Sequence, residues 1–287
     1  MPELRIKHFY HRPTGTLSYV VSDRESRKAA IIDPVLGFSV VSGRTDRGPA
    51  VELLDYLREQ KLELDWILET HAHADHLSAA QFVKREAGGK VGIGEGIRKV
   101  QAHFQGVFNL KAPFRPDGSQ FDRLFADGDT FMLGGMEGRV LNTPGHTSDS
   151  ITYLIGDAAF VGDSLFVPDF GTARCDFPGG DAELLYDSIQ KLFALPAGTR
   201  LFMCHDYPPE SRGLRYEVTV EEQLQTNIHV GGGKSKAEFV RMRQERDATL
   251  NLPALILPSI QVNIRAGELP EAEDNGVSYL KIPLDLL

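Results

Sequence analysis

The sequence has few cysteines, no long apolar segment and no recognisable export signal. Cys175 and Cys204 are the only cysteines in 287 residues. Two cysteines do not form a disulfide framework, so we expect reduced thiols, with Cys204 as a small core residue. No apolar run approaches the roughly 20 residues that span a bilayer, and the opening residues MPELRIKHFYHRP lack the apolar centre of a signal peptide. We therefore expect a cytoplasmic protein that does not enter a membrane.

An excess of positive charge is also absent. The chain carries 31 Lys and Arg against 40 Asp and Glu, a net charge of −9. This balance argues against nucleic acid or an anionic membrane surface as the main partner. No segment is rich enough in linker residues to separate two domains, so we expect one domain over residues 1–287, with residues 211–287 as a C-terminal extension packed on it. A homodimer or a higher homo-oligomer stays open.

What the sequence does contain is a dense group of metal-ligand side chains within residues 64–80, LDWILETHAHADHLSAA. The apolar residues 64–68 predict a short buried strand, and helical spacing of apolar residues begins near His76. His71, His73, Asp75 and His76 lie on the bend between the two elements. A lone histidine is usually a surface or core residue, but four ligand-type side chains within six positions predict a metal site.

Other predicted strands also end in a histidine or an aspartate. His146 follows a Pro-Gly pair, Asp163 follows a glycine, and His205 follows the apolar segment RLFMC. Asp33 ends an earlier strand, where a loop cap and a place beneath a metal site are both open interpretations. His146 alone would suggest a turn residue and Asp163 alone a cap, but beside the first group both favour one shared site.

The remaining periodicity predicts strands joined by turns over residues 4–33 and a loop over residues 35–48. Hairpins follow at residues 130–147 and 150–166, and Gly-Asp at the second turn is a strong hairpin signal. Helices are predicted over residues 49–57, 76–87, 96–108, 181–193, 219–227 and 235–250, the last with a Ser235-x-x-Glu238 capping box. This order predicts two packed sheets with helices outside.

The ligand-type residues resemble, as an ordered set, the five motifs of the metallo-β-lactamase fold over about residues 4–210. The set comprises Asp33, His71, His73, Asp75, His76, His146, Asp163 and His205. The resemblance implies an α+β protein, an αβ/βα four-layer sandwich with a metal site at the edge between the sheets. It leaves two reactions open. One is hydrolysis by two metals bridged by Asp163, as in the thioesterase glyoxalase II, and the other is oxygenation at a single iron.

The segment FGTARCDFPGGDAELLY, residues 170–186, resembles the Gly-x-x-Arg-x-Asp-Phe segment of persulfide dioxygenases, the ethylmalonic-encephalopathy protein family. Residues 219–230 and 250–270 resemble the end of those enzymes, and the longer loop at residues 35–48 with the extended end to Leu287 resembles their bacterial branch more than the mitochondrial one. The resemblance implies one Fe(II) per chain held by His71, His146 and Asp163, with zinc as a misloaded metal. It further implies that glutathione persulfide and O2 are converted to sulfite and glutathione. His73, Asp75, His76, His205 and Asp33 would then be neighbours or alternative ligands.

Several further side chains are candidates for contact with the substrate. Arg174 can orient an anion and Asp176 can orient an imidazole or Arg174, while an equally weighted alternative is that the two pair and brace their loop. Tyr207 can donate a hydrogen bond to a bound ligand or only close its loop. Arg212 and Arg215 are candidate contacts for the carboxylates of glutathione. A non-enzymatic metal or redox sensor is a third hypothesis, without support in the sequence.

Overall fold

Fifteen strands and seven α-helices are found in the part of the chain that the computed structural model describes, residues 3–286. The strands are β1 Leu4–His11, β2 Thr16–Asp23, β3 Lys28–Ile32, β4 Val35–Ser39, β5 Arg44–Asp46, β6 Glu63–Leu68, β7 Leu77–Ser78, β8 Lys90–Gly94, β9 Arg123–Phe125, β10 Thr130–Leu133, β11 Met136–Asn142, β12 Ile151–Ile155, β13 Ala158–Phe160, β14 Arg200–Phe202 and β15 Glu217–Thr219. The helices are α1 Gly48–Gln60, α2 Ala80–Ala87, α3 Ile97–Val107, α4 Ala182–Phe193, α5 Val220–Thr226, α6 Lys236–Asp247 and α7 Ile256–Asn263.

Two six-stranded sheets form the frame. Their strand orders are β1-β2-β3-β6-β8-β9 and β10-β11-β12-β13-β14-β15, and β5-β4-β7 form a small third sheet. The two large sheets face each other through aromatic side chains. The ring of Tyr19 meets Phe160 and Phe202 at centroid distances of 5.3 and 5.5 Å. Successive side chains of a strand point to opposite faces, so each large sheet has a second face for helices.

Helices cover the outer faces. Apolar residues of α1, α2, α3 and α7 share one buried cluster with the outer face of the first sheet. Residues of α4 and α6 join the cluster that contains the second sheet. This is the predicted αβ/βα sandwich of four layers. Among the described residues, no helix is long and apolar enough to cross a membrane.

Strand direction brings the predicted ligands to one edge. β3, β6 and β8 are parallel, and so are β13 and β14. Since parallel strands end at the same edge of a sheet, the residues that follow β3 and β6 are neighbours. The backbone N–H of Asp33 donates to the carbonyl of Leu68 at 2.9 Å, which joins these two strand exits.

The boundaries of several elements agree with the prediction. The side chain of Asp181 caps α4 by accepting from the N–H groups of Glu183 and Leu184, and the capping box of Ser235 and Glu238 is present on α6. Cys204 is buried, as expected. A cap of this kind is a local interaction, which explains why sequence spacing alone located it.

Two predicted boundaries were wrong. Residues 35–48 are not only loop, because they contain β4, β5 and the first residue of α1. The helix predicted from His76 begins at Ala80, since Leu77 and Ser78 pair with β4 and the hydroxyl of Ser78 accepts from the N–H of Ala80. Helix α7 was not predicted. Its sequence, ILPSIQVN, is short and apolar, so it lacks the polar face that marks a surface helix.

Candidate metal centre

His71 lies three residues beyond β6 and is oriented by Thr70 and Asp33. Asp33 accepts from the backbone N–H of Thr70 at 2.7 Å and from its hydroxyl at 2.9 Å. The Thr70 hydroxyl also lies 3.1 Å from Nδ1 of His71. Because Nδ1 is engaged, Nε2 is the ring nitrogen left for a ligand, and it lies 3.9 Å from Oδ2 of Asp163. Asp33 is therefore located beneath the site, one of the two interpretations left open above.

His146 reaches the same carboxylate from the second sheet. Its Nδ1 lies 2.7 Å from the backbone carbonyl of Arg174, and its Nε2 lies 3.6 Å from Oδ2 of Asp163. The preceding Gly145 has φ +135°, and a Cβ there would lie 2.2 Å from the backbone nitrogen of Leu185 at the start of α4. Only glycine fits this close approach, so Gly145 allows His146 to point into the site.

Asp163 lies between two groups of donors. It belongs to a single 3-10 turn, Gly162–Ser164, that follows β13. Its Oδ2 faces His71 and His146, while its Oδ1 lies 3.5 Å from Nε2 of His205. A carboxylate whose two oxygens face different imidazoles can bind a metal ion on either side, or bridge two metal ions.

The second group comprises His73, Asp75, His76 and His205. One ligand atom from each lies within 4.8 Å of the others, and the same holds for His71, His146 and Asp163. Oδ2 of Asp75 lies 3.2 Å from Nδ1 of His76 and 3.5 Å from Nε2 of His205. The structure thus brings all seven predicted ligand-type residues to one place.

Most donor atoms in this place have no hydrogen-bond partner among the described residues, which is the test of whether they fit a metal ion, although Nε2 of His73 lies 3.0 Å from Oδ1 of Asp33. The buried atoms without a hydrogen-bond partner include Nε2 of His71, both ring nitrogens of His73, Nε2 of His76, Oδ1 of Asp163 and both ring nitrogens of His205. Buried polar atoms are nearly always paired in folded proteins. So many unpaired donors on converging imidazoles and a carboxylate are explained by bound metal.

The electrostatics keep these residues ready to bind a cation. Burial, with His73 beside it, holds the pKa of His71 well below its ordinary value, and burial with His76 does the same for His73. Burial opposes ionisation of Asp75, but the imidazoles of His205 and His76 outweigh it and hold the pKa of Asp75 well below the usual range. Neutral imidazoles and an ionised carboxylate are the forms that coordinate metal, so His71, His73 and Asp75 are already in the binding form. Burial opposes protonation of His205, but the carboxylates of Asp163 and Asp75 outweigh it and raise the pKa of His205, so this ring loses a proton when it binds a metal ion.

A cavity of about 280 Å³ opens onto the donors. Asp75, His146, Asp163 and His205 are among its lining residues. Four aromatic side chains and three arginines form much of the rest of the lining, beside smaller and aliphatic residues. These lining residues are Phe166, Phe170, Phe177, Tyr207, Arg174, Arg243 and Arg246. A small, mostly apolar cavity with a few charged groups suits a small organic anion.

Arg174 and Asp176 form the paired arrangement that was one of the two alternatives. The guanidinium of Arg174 donates to both oxygens of Asp176 at 2.6 Å and to the carbonyl of Asn251 at 2.6 Å. Arg174 nevertheless lines the cavity, and its backbone carbonyl holds His146. The pair therefore braces the loop that positions a metal-ligand imidazole.

Tyr207 stands at the cavity wall beside the donors. Its ring is parallel to that of His205 at a centroid distance of 5.8 Å and also contacts Phe170. Burial raises the pKa of the phenol, so the hydroxyl stays protonated and can donate a hydrogen bond.

Arg212 and Arg215, the other predicted substrate contacts, do not line this cavity. Arg212 pairs with Asp206 and with Asp169, both at 2.7 Å, and Arg215 pairs with Glu222 at 2.7 Å. Either guanidinium would have to leave a carboxylate before it could bind a substrate.

Several residues that support the site gave no signal in the sequence. Arg243 and Asp247 form a buried ion pair on α6. Arg243 donates to the carbonyl of Thr172, and Asp247 accepts from the N–H of Cys175. They thus hold both sides of the loop that contains Arg174. An Arg and an Asp four residues apart are common on exposed helix faces, so spacing alone could not mark them as buried.

Comparison with known proteins agrees with this geometry. A family model described as the metallo-beta-lactamase superfamily matches residues 11–205. The chain is 49% identical to a protein of Burkholderia pseudomallei (strain 1710b) named "probable metallo-hydrolase", over 99% of this chain and 100% of that protein. It is also 49% identical to glyoxylase B2 of Dictyostelium discoideum, over 99% of this chain and 98% of that protein.

Two more distant relatives have names that indicate a different activity. The chain is 31% identical to the mitochondrial persulfide dioxygenase ETHE1 of Bos taurus, over 91% of this chain and 88% of that protein. A crystal structure of ETHE1 from Myxococcus xanthus is similar with a TM-score of 0.74 at 29% identity, over 92% of this chain and all of that one.

Proposed function

The chain belongs to the metallo-β-lactamase superfamily, and from this premise we propose that it is an iron(II)-dependent persulfide dioxygenase acting on glutathione persulfide. The reaction would be RSSH + O2 + H2O → RSH + SO3²⁻ + 2H⁺. The outer sulfur loses four electrons and becomes sulfite, dioxygen takes up those four electrons, and the inner sulfur leaves as the thiol. The family match and the donor cluster support the more general statement that the chain is a metal-dependent enzyme of this superfamily.

The observation that carries the proposal is the set of His71, His146 and Asp163, which borders the cavity through His146 and Asp163. Two imidazoles and one carboxylate with open positions are the donor set of non-haem iron oxygenases, and ferrous iron bound there would supply redox chemistry with dioxygen. The 31% identity to a persulfide dioxygenase over 91% of the chain supports the same choice.

The chain's own residues would orient the donors and shape the space for the substrate. Thr70 and the Arg174 carbonyl engage Nδ1 of His71 and of His146, so both rings present Nε2. The aromatic walls would exclude water from the reacting sulfur. Tyr207 is positioned to donate a hydrogen bond to the substrate, and Arg174 lines the cavity with its guanidinium paired to Asp176.

For the glutathione carboxylates, Arg246 is better placed than Arg212 or Arg215. Arg246 is exposed and lines the cavity. The other two residues stay candidates only if their carboxylate partners release them. We also keep a cytoplasmic location and a homo-oligomer as predictions.

A second candidate function is thioester hydrolysis of the glyoxalase II type, at two metals bridged by Asp163. The complete second donor group of His73, Asp75, His76 and His205 favours it. The 49% identity to glyoxylase B2 and to a metallo-hydrolase also supports this second candidate. Zinc, which lacks redox chemistry, would suit this reaction.

Metal exchange on one preparation separates the two functions. The metal-free protein is loaded with Fe(II) or with Zn(II), and each form is assayed for oxygen uptake with glutathione persulfide and for hydrolysis of S-D-lactoylglutathione. The proposal predicts oxygen uptake by the iron form only, with little thioester hydrolysis by either form. Fast hydrolysis by the zinc form, without oxygen uptake by the iron form, would establish the second candidate instead.

A further inference from the structure

Asn263, the last residue of α7, makes contacts that connect the C-terminal segment to the metal-ligand loop. Its side-chain Nδ2 donates to the backbone carbonyls of His73 and His76, both at 2.8 Å. Its Oδ1 accepts from the backbone N–H of Ser78 at 2.7 Å. One buried amide therefore satisfies three backbone groups on the loop that carries four of the donors.

The first half of this loop is held by other contacts, since Thr70 bonds to Asp33 and the N–H of Ala72 donates to Asp149 at 2.8 Å. For residues 73–76, the contacts to the backbone come from Asn263. Between the end of β6 at Leu68 and the two-residue strand β7, the backbone is irregular. A buried carbonyl without a donor is unfavourable, so the two carbonyls that Asn263 satisfies would otherwise favour a different loop conformation. Both carbonyls belong to residues whose imidazoles face the metal centre, so a change in their backbone moves a donor nitrogen.

The segment around Asn263 is itself firmly held. The Gln101 side chain donates to the carbonyl of Ile264 at 2.8 Å, and a Cβ on Gly267 would lie 2.8 Å from the carbonyl of Ser78. Gly267 has φ +84°, a conformation that favours glycine. The chain after α7 thus passes in direct contact with the end of the donor loop.

We propose that Asn263 is a positioning residue of the metal centre, which couples docking of the C-terminal helix α7 to metal affinity. The amide holds the carbonyls of His73 and His76 in the arrangement that directs their rings toward Asp75 and His205, the other members of the second donor group. Residues 11–205 supply the donors, and a residue outside that range fixes the geometry of two of them.

The same helix offers a matched control. Gln261 is also a buried amide, but it donates to the carbonyls of Leu257 and Lys281 and accepts from the N–H of Lys281. Its bonds join α7 to the C-terminal tail and do not reach the donor loop. Gln261→Ala therefore disturbs α7 to a similar extent without removing a contact to the metal centre.

The first experiment measures zinc affinity by competition with a chelator, on the folded, metal-free full chain. Asn263→Asp keeps the size and the acceptor but loses both donors, and Asn263→Ala loses all three bonds. Removing an outer contact of a metal site typically costs 10–100-fold in affinity. We expect a loss of about that size in both Asn263 variants, and a change of less than about threefold in Gln261→Ala.

A purely structural role predicts a different result. Asn263→Ala and Gln261→Ala would then lower the midpoint of thermal unfolding by similar amounts, and zinc affinity of the folded fraction would stay at the wild-type value. Unchanged affinity in the Asn263 variants, or an equal loss in Gln261→Ala, would overturn the proposal.

A second experiment needs no variant. Coupling between two sites is reciprocal, so zinc must stabilise the docking of α7 as much as docking favours zinc. We expect hydrogen exchange of the amides in residues 256–266 to slow on addition of zinc, while amides in α1 residues 53–60 change little. Exchange in 256–266 that is indifferent to zinc would contradict the coupling. Neither experiment involves turnover, so failure here and failure of the proposed reaction are distinguishable.

Discussion

Residues 71–205 and residues 235–267 contribute to the metal centre in different ways. The first region supplies every donor, each at the end of a strand or in the loop that follows it. The second supplies no donor, but its side chains hold the loops on which donors lie, through Arg243, Asp247 and Asn263. Substitutions in the first region should therefore abolish chemistry, whereas substitutions in the second should reduce stability and metal affinity.

The largest effect is expected for Asp163→Ala. This carboxylate faces both donor groups, so its removal should lower oxygenase activity more than the 10–100-fold typical of an outer contact. Turnover and metal content are measured together, and metal content should fall as well. Asp55→Ala, which removes an exposed carboxylate on α1 that pairs with Arg58, is the control and should retain activity within about twofold. Full activity in Asp163→Ala would place the donors elsewhere.

Arg243→Met tests the supporting region. The substitution leaves Asp247 buried without its cation, and breaking a buried pair costs about 3–5 kcal/mol. Urea unfolding of the metal-free protein measures the free energy. The exposed pair of Arg24 and Glu3 provides the contrast, since Arg24→Met should cost less than about 1 kcal/mol. Equal losses in the two variants would show that burial of the Arg243 pair is energetically unimportant.

A smaller effect is expected for Ser235→Ala. It removes the cap of α6, the helix that carries Arg243, and loss of such a cap costs about 1 kcal/mol. Chemical unfolding again measures it, with activity per folded molecule unchanged. A loss of activity without a loss of stability would mean that α6 acts on the site in a way other than support.

The smallest effect on stability at neutral pH is expected for His229, because its contribution changes only in acid. Burial, with Arg243 nearby, lowers the pKa of His229 to about 4, and the ring accepts a hydrogen bond from the N–H of Thr172. Unfolded histidine has a pKa near 6.5. Between pH 4 and pH 6.5 the unfolded chain binds more protons at His229 than the folded chain does. The contribution of His229 to stability is therefore complete above pH 6.5 and is lost as the pH falls toward 4. His229→Gln should flatten the dependence of unfolding free energy on pH in that window. An unchanged slope would contradict the shift.

The sequence was sufficient to predict the sandwich and the convergence of the ligand-type side chains, for a physical reason. His71, His146, Asp163 and His205 each follow an apolar strand, and parallel strands bring such exits to one edge. The pattern of strands and helices and the order of the motifs therefore carry the fold and the donor set together.

The supporting contacts could not be predicted in the same way. Asn263 is 187 residues from His76, and nothing in the local sequence of either residue indicates the other. Such contacts depend on tertiary packing, not on local periodicity. For the same reason, the sequence left the pairing of Arg174 with Asp176 as one of two alternatives and suggested substrate roles for Arg212 and Arg215, whose carboxylate partners come from packing.

The stoichiometry of oxygen consumption is the decisive test of the proposed persulfide dioxygenase reaction. Iron-loaded protein is mixed with glutathione persulfide in a sealed oxygen-electrode cell, and sulfite is quantified at the end. We expect one O2 to be consumed for each sulfite formed, at a rate that is proportional to the iron content. Persulfide that persists without oxygen uptake in fully iron-loaded protein would contradict it.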